Sequence, residues 1–108
     1  MNVNEDNNNF RTTFWDDFTI ADKYGKEAIQ DTYNRASKEW KHDLDYLIEL
    51  VKVLNWKCWD FWQKYKDTKD EKALEISELY KQLYYELDGW AYDNLDKEQF
   101  TKYVRELD

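Results

Sequence analysis

The chain has 108 residues, with no proline, two glycines, 19% aromatic and 37% charged residues. That is the length of one domain. So few turn formers exclude a hairpin-rich β fold and predict long helices with short polar joints. A net charge of −8 argues against direct binding of nucleic acid or an anionic membrane, because both need a basic surface.

No apolar run approaches the roughly 18–20 residues of a spanning helix. The start, Met1-Asn2-Val3-Asn4-Glu5-Asp6, has neither the basic residues nor the apolar stretch of a signal peptide. Cys58 is the only cysteine, so no intrachain disulfide is expected. A cytoplasmic location in a reducing compartment follows.

The first segment, residues 1–11, is rich in Asn and acids. It reads as a disordered polar tail, because it has too little apolar surface to bury. Residues 12–108 read as the folded domain. Thr19-Ile20-Ala21-Asp22 has the spacing of a capping box and predicts a helix start, and Gly25 predicts its stop. Residues 26–41 give a second helix with Ile29, Tyr33, Ala36 and Trp40 on one face.

Residues 43–66 give the third and longest helix. Leu44, Ile48, Val51, Cys58, Trp62 and Tyr65 recur at helical spacing and predict one buried seam. Asn55 interrupts that seam, where a polar residue fixes register or oligomer state, or is satisfied within the fold. Trp56 lies about 120° from the seam, with Val53 beside it and Asp45, Glu49, Asp60 and Gln63 around it. A tryptophan among charges is either covered by another helix or an interface anchor.

After the charged turn 67–70, a fourth helix is expected over 71–94, carrying Ile76, Leu79, Tyr80, Leu83, Leu87, Trp90 and Ala91. Asp96 then caps a short final helix with Phe100, Tyr103, Val104 and Leu107 at i, i+3, i+4, i+7. The fold class is all-α: a single-domain helical bundle of about five helices around a long central one. Its third and fourth helices should pack antiparallel.

Catalysis is not expected. His42, the only histidine, and Cys58 lie 16 residues apart, about 24 Å along a helix, too far to work as a pair. No Cys-x-x-Cys, Glu-x-x-His or calcium-loop pattern occurs, so no metal is called for. Gly25 and Gly89 stand alone, so no phosphate-binding loop and no cofactor is expected. Residues 20–25 superficially resemble the start of a helix-turn-helix. Asp31 stands where that motif needs an apolar residue, and the overall acidity opposes DNA binding.

The acidity is segregated. Residues 1–31 hold seven acids and three bases, residues 32–72 eight and nine, and residues 73–108 nine and four. If the first, fourth and fifth helices pack together, Asp16, Asp17, Asp22, Glu86, Asp88, Asp93, Asp96 and Glu98 would share a surface. Such a surface would imitate a phosphate backbone toward a basic groove on another protein. An ordinary solvated surface is the plainer reading of the same acids.

Three stretches carry a resemblance: Thr12-Thr13-Phe14-Trp15-Asp16-Asp17-Phe18-Thr19-Ile20-Ala21-Asp22-Lys23-Tyr24-Gly25, Ala28-Ile29-Gln30-Asp31-Thr32-Tyr33-Asn34-Arg35-Ala36, and Leu50-Val51-Lys52-Val53-Leu54-Asn55-Trp56-Lys57. With Glu39-Trp40-Lys41, they resemble short, uncharacterised proteins encoded on plasmids, prophages and conjugative elements of Gram-positive gut bacteria. The family brings no established activity and no functional residue. It implies a setting in which small acidic proteins disarm host defences, as anti-CRISPR and antirestriction proteins do. The expectation is therefore a non-enzymatic, acidic protein-binding inhibitor of a nucleic-acid-handling host enzyme, such as a CRISPR or restriction nuclease. Its contact residues would be the acids above with Val53 and Trp56. The alternative is a structural or regulatory homodimer that uses the Asn55 seam or the Trp56 face.

Overall fold

The computed structural model describes residues 3–107, with side chains from Phe14 to Leu107. Five helices follow one another: α1 (Val3–Tyr24), α2 (Lys26–Trp40), α3 (Leu44–Thr68), α4 (Glu71–Asn94) and α5 (Lys97–Leu107). There is no strand among the described residues. The five-helix bundle and its long third helix are as the periodicity predicts.

Local chemistry sets most of the boundaries. Asp43 caps α3 by accepting the backbone N–H groups of Asp45 and Tyr46 at 3.2 and 3.4 Å. Asp70 caps α4 through the N–H of Lys72 at 3.0 Å. Asp96 and Gln99 form a reciprocal capping box at the start of α5, at 2.8 and 3.2 Å. Each cap satisfies N–H groups that lack an intrahelical partner. Gly25 has φ 110° and ψ −172°, a backbone region essentially reserved for glycine. Its N–H donates to the Ala21 carbonyl, and its own carbonyl accepts from Ile29, both at 3.1 Å. One residue thus closes α1 and opens α2.

One prediction about α1 needs correction. Thr19 and Asp22 do not start a helix but lie inside one. Phe14, Phe18 and Ala21 are buried at i, i+4, i+7, so an apolar face continues upstream of the supposed cap. Spacing that suits a capping box also puts two side chains on one helix face, and here the second meaning holds. The bounds of α1 include most of the segment read from composition as a tail. The side chains of residues 1–13 lie outside the described residues, and so does that reading.

Lys69 and Asp70 alone join α3 to α4, so the two helices form an antiparallel hairpin. His42, just before α3, meets Trp90 near the end of α4, while Cys58 meets Ser77 nearer the turn. The hairpin is the frame of the domain. α1 and α2 pack against it, and α5 lies along α3. Lys102 of α5 reaches Asp45 at 3.0 Å, and Leu107 ends beside Asn55 and Trp56. Among the described residues no helix is long and apolar enough to cross a membrane.

The buried face of α3 is broader than the expected seam. Leu47, Leu50 and Leu54 are fully buried together with Val51 and Val53. Leu47, Leu50, Leu54, Lys57 and Phe61 form a second row at helical spacing. With two rows covered, α3 is enclosed on most sides until about Leu54. Val53 is therefore interior, which corrects its placement beside an exposed Trp56. The expected seam instead emerges at the turn end of the hairpin, where Trp62 is exposed.

Candidate functional site

The second row of α3 carries a cation into the core. Lys57 is 5% exposed at its side chain, and its Nζ lies 2.8 Å from Asp22 Oδ2, itself 12% exposed. The same ammonium donates to Thr19 Oγ1 at 2.7 Å and sits 4.1 Å from the centre of the Trp15 ring. The Tyr80 hydroxyl donates to the other oxygen of Asp22. Four polar side chains from α1, α3 and α4 thus satisfy one another around one buried ion pair. A buried ion pair is costly unless it is well bonded, and this one is bonded on every side. It is a clasp that fastens α1 to the hairpin, because its partners come from α1, α3 and α4.

Two further tyrosines bind helices together in the same manner. The Tyr103 hydroxyl of α5 donates to Asp88 of α4 at 2.7 Å. Tyr33 of α2 is paired with Glu86 of α4. Burial, with the neighbouring carboxylate second, raises the phenol pKa of Tyr33, Tyr80 and Tyr103 above the ordinary value. All three remain neutral donors.

These bonds redistribute the acids expected to form a phosphate-like surface. Asp22 and Asp88 serve Lys57, Tyr80 and Tyr103 between the helices, and Glu86, itself exposed, pairs with the buried Tyr33. Asp96 caps α5. Asp96 and Glu98 also share a shallow hollow with Lys97, Lys102 and Arg105, so bases stand among them. Asp16, Asp17, Glu86, Asp93, Asp96 and Glu98 are exposed, spread over α1, α4 and the start of α5. A single acidic face made of all eight residues does not form.

Four of the exposed aromatics, Trp56, Trp59, Trp62 and Tyr85, come together. Asn55, Cys58, Trp59 and Trp62 of α3 recur at i, i+3, i+4 and i+7 and make one wall of a groove. Leu74, Ser77, Glu78, Lys81, Tyr84 and Tyr85 of α4 make the other. The groove holds about 370 Å³. Trp59 and Tyr85 are each 60% exposed, and Trp62 37%. Trp56, 39% exposed, stands at its inner end. There it lines a smaller hollow of about 290 Å³ with Lys52, Asn55, Tyr84, Glu106 and Leu107. Asn55 and Tyr84 belong to both hollows, so the groove continues to the end of α5.

Ser77 and Cys58 form the groove floor. Ser77 Oγ donates to the Cys58 carbonyl at 2.8 Å and lies 3.7 Å from Cys58 Sγ. His42 packs edge-on against Trp90 at 5.4 Å, away from the thiol. Such a surface can exclude water and seat apolar groups.

Of the two alternatives that the sequence leaves for Trp56, covered or exposed, the structure has the exposed one. Trp59 was not singled out, although it neighbours Trp56 and precedes Asp60 on an equally polar sector. Tyr85 had a similar signal, as the polar-side member of the pair Tyr84-Tyr85. Lys57 had one too, at three residues from Leu54 and four from Phe61. No protein-family model, curated protein or solved structure matches this chain, so the site rests on its own residues.

Proposed function

We propose that this chain is a non-enzymatic protein-binding module, an acidic inhibitor of a nucleic-acid-handling defence enzyme such as a CRISPR or restriction nuclease. Its contact surface is the aromatic groove between α3 and α4. The observation that carries this reading is the alignment of Trp56, Trp59, Trp62 and Tyr85, all exposed, along one groove. Tryptophan and tyrosine bury large areas with few rotatable bonds and dominate interface energetics. The mobile-element resemblance supplies the setting. The net charge of −8 favours a basic partner and speeds encounter with one.

The test is protection of invading DNA in cells that carry an RNA-guided nuclease or a restriction enzyme. The wild-type chain should protect against at least one enzyme of a broad panel, and Trp59→Ala should abolish that protection. No protection across the panel would sink the reading.

A homodimer through the same groove is the second reading. It is favoured by the charge balance of the lining, where Glu78 offsets Lys81 and Glu106 offsets Lys52. A clean monomer by light scattering at high micromolar concentration removes it.

A further inference from the structure

The buried rows of α1 and α2 are in phase with each other. Phe14, Phe18 and Ala21 are buried on α1, and Ile29, Tyr33 and Ala36 on α2. Counted through Gly25, they recur at i, i+4, i+7, i+15, i+19 and i+22. At 100° per residue all six fall within an arc of about 120°, the width of one apolar helix stripe. Residues 3–40 thus carry the pattern of a single amphipathic helix, broken at Gly25.

The break is small. Gly25 is the only residue between the two helices, and helix-type bonds reach it from both sides. Its N–H donates to the Ala21 carbonyl, and its carbonyl accepts from the Ile29 N–H. A continuous helix would add the bonds from the N–H groups of Lys26, Glu27 and Ala28 to the carbonyls of Asp22, Lys23 and Tyr24. α2 starts without a side-chain cap, whereas Asp43, Asp70 and Asp96 cap α3, α4 and α5. Straightening at Gly25 therefore breaks no cap and completes the backbone ladder. What holds α1 in its bent position is its buried row and the clasp that joins Asp22 and Thr19 to Lys57 and Tyr80.

We propose that Gly25 is a hinge through which α1 exchanges between two copies of this chain. Straightened, α1 leaves its own body and carries its apolar row into solvent. A second copy opened in the same way has the matching empty seat. There Asp22 and Thr19 of one copy meet Lys57 and Tyr80 of the other, so each clasp is complete only with a residue from both chains. This is domain swapping. Against it stand the entropy of association and the repulsion of two chains of net charge −8. The swapped form therefore belongs to high protein concentration and high salt. The aromatic groove takes no part in it.

Gly25→Ala tests the hinge. Alanine resists φ 110° but takes helical angles freely, so it penalises the bent form alone. At low micromolar concentration the variant should be a less stable monomer. Refolded from urea at millimolar concentration in high salt, it should dimerise about 10-fold or more tightly than the wild type, because the swapped form escapes the penalty. Size-exclusion chromatography with light scattering reads this. Adding Trp59→Ala should leave the dimer intact.

A second measurement keeps Gly25. Asp22→Asn strands the Lys57 ammonium, and Lys57→Met strands the Asp22 carboxylate. Refolded together, these two chains can exchange α1 so that one body regains the native clasp and the other holds neither charge. Native mass spectrometry with one chain isotope-labelled should show the mixed dimer. The mixture should melt above either variant refolded alone.

Gly25→Ala that refolds and stays monomeric at millimolar concentration overturns the proposal. A dimer that Trp59→Ala dissolves belongs to the groove and overturns it too. If Gly25→Ala does not refold, the mixture decides. A mixed dimer with the raised melting temperature sustains the exchange, and a mixture that melts as its separate components overturns it.

Discussion

Lys57 is the most exacting test of how the domain is held together. Lys57→Met keeps the length of the side chain but removes its charge. It breaks the 2.8 Å pair with Asp22, the 2.7 Å bond to Thr19 and the contact with the Trp15 ring. The Asp22 carboxylate is then left buried with Tyr80 as its remaining donor. Removing one partner of a buried ion pair costs about 3–5 kcal/mol. That is a large share of the roughly 5–15 kcal/mol that stabilises a domain. It corresponds to a fall in melting temperature of roughly 10–30 °C at this chain length. Asp22→Asn should cost a similar amount, because it strands the ammonium while keeping an acceptor for Tyr80. The double variant removes both charges and keeps the Tyr80 bond. It should be more stable than the sum of the single effects by about 2 kcal/mol or more, since neither charge is then orphaned. Urea unfolding followed by helix content gives all four corners of this cycle. Single variants that lose less than about 1 kcal/mol, or strict additivity, would refute the clasp.

The two glycines should respond with opposite signs. Gly25→Ala meets no atom within 4 Å but must hold φ 110°, so it should lose about 1–3 kcal/mol from backbone strain alone. Gly89→Ala, inside α4 and also without a close neighbour, should gain about 0.5–1 kcal/mol; urea midpoints read both. Stability should fall in strong alkali. Below pH of about 10 the phenols of Tyr33, Tyr80 and Tyr103 are protonated in both states, and their contribution is intact. Above it the unfolded chain ionises first, because the folded pKa values are raised. Stability then drops by about 4 kcal/mol per pH unit for the three together. Tyrosinate absorbance at alkaline pH should rise in step with helix loss, and a full rise with the helices intact would refute this. Trp59→Ala should change stability by no more than about 0.5 kcal/mol, because the side chain is already 60% exposed; thermal melts check this, and a large loss would mean that Trp59 belongs to the core.

The fold was largely legible because its boundaries are local chemistry. Asp43, Asp70 and Asp96 announce helix starts within a few residues, and Gly25 announces a break that only glycine allows. Helical spacing placed Trp56 on a polar sector of α3 but left open whether another helix covers it; its 39% exposure decides that. Pairings between distant residues were not legible. Asp22 reads as a capping acid until Lys57, 35 residues away, is seen to meet it. Val53 reads as a surface neighbour of Trp56 until the second buried row of α3 is known. The acids of α4 read as a surface charge until Tyr33 and Tyr103 are found to face them. The groove was only half visible, because Trp59 and Trp62 belong to α3 while Tyr85 belongs to α4. Only the hairpin brings the two walls together.

The aromatic groove can be tested without knowing the natural partner, because each of the six tryptophans gives its own indole N–H signal in NMR. Titration with a small aromatic dye that binds exposed apolar surface, such as an anilinonaphthalene sulfonate, should shift the signals of Trp56, Trp59 and Trp62, which line the groove and its inner end. The signals of Trp15, Trp40 and Trp90, packed against the core, should stay in place. Movement of the second set without the first, or of neither, would contradict the account.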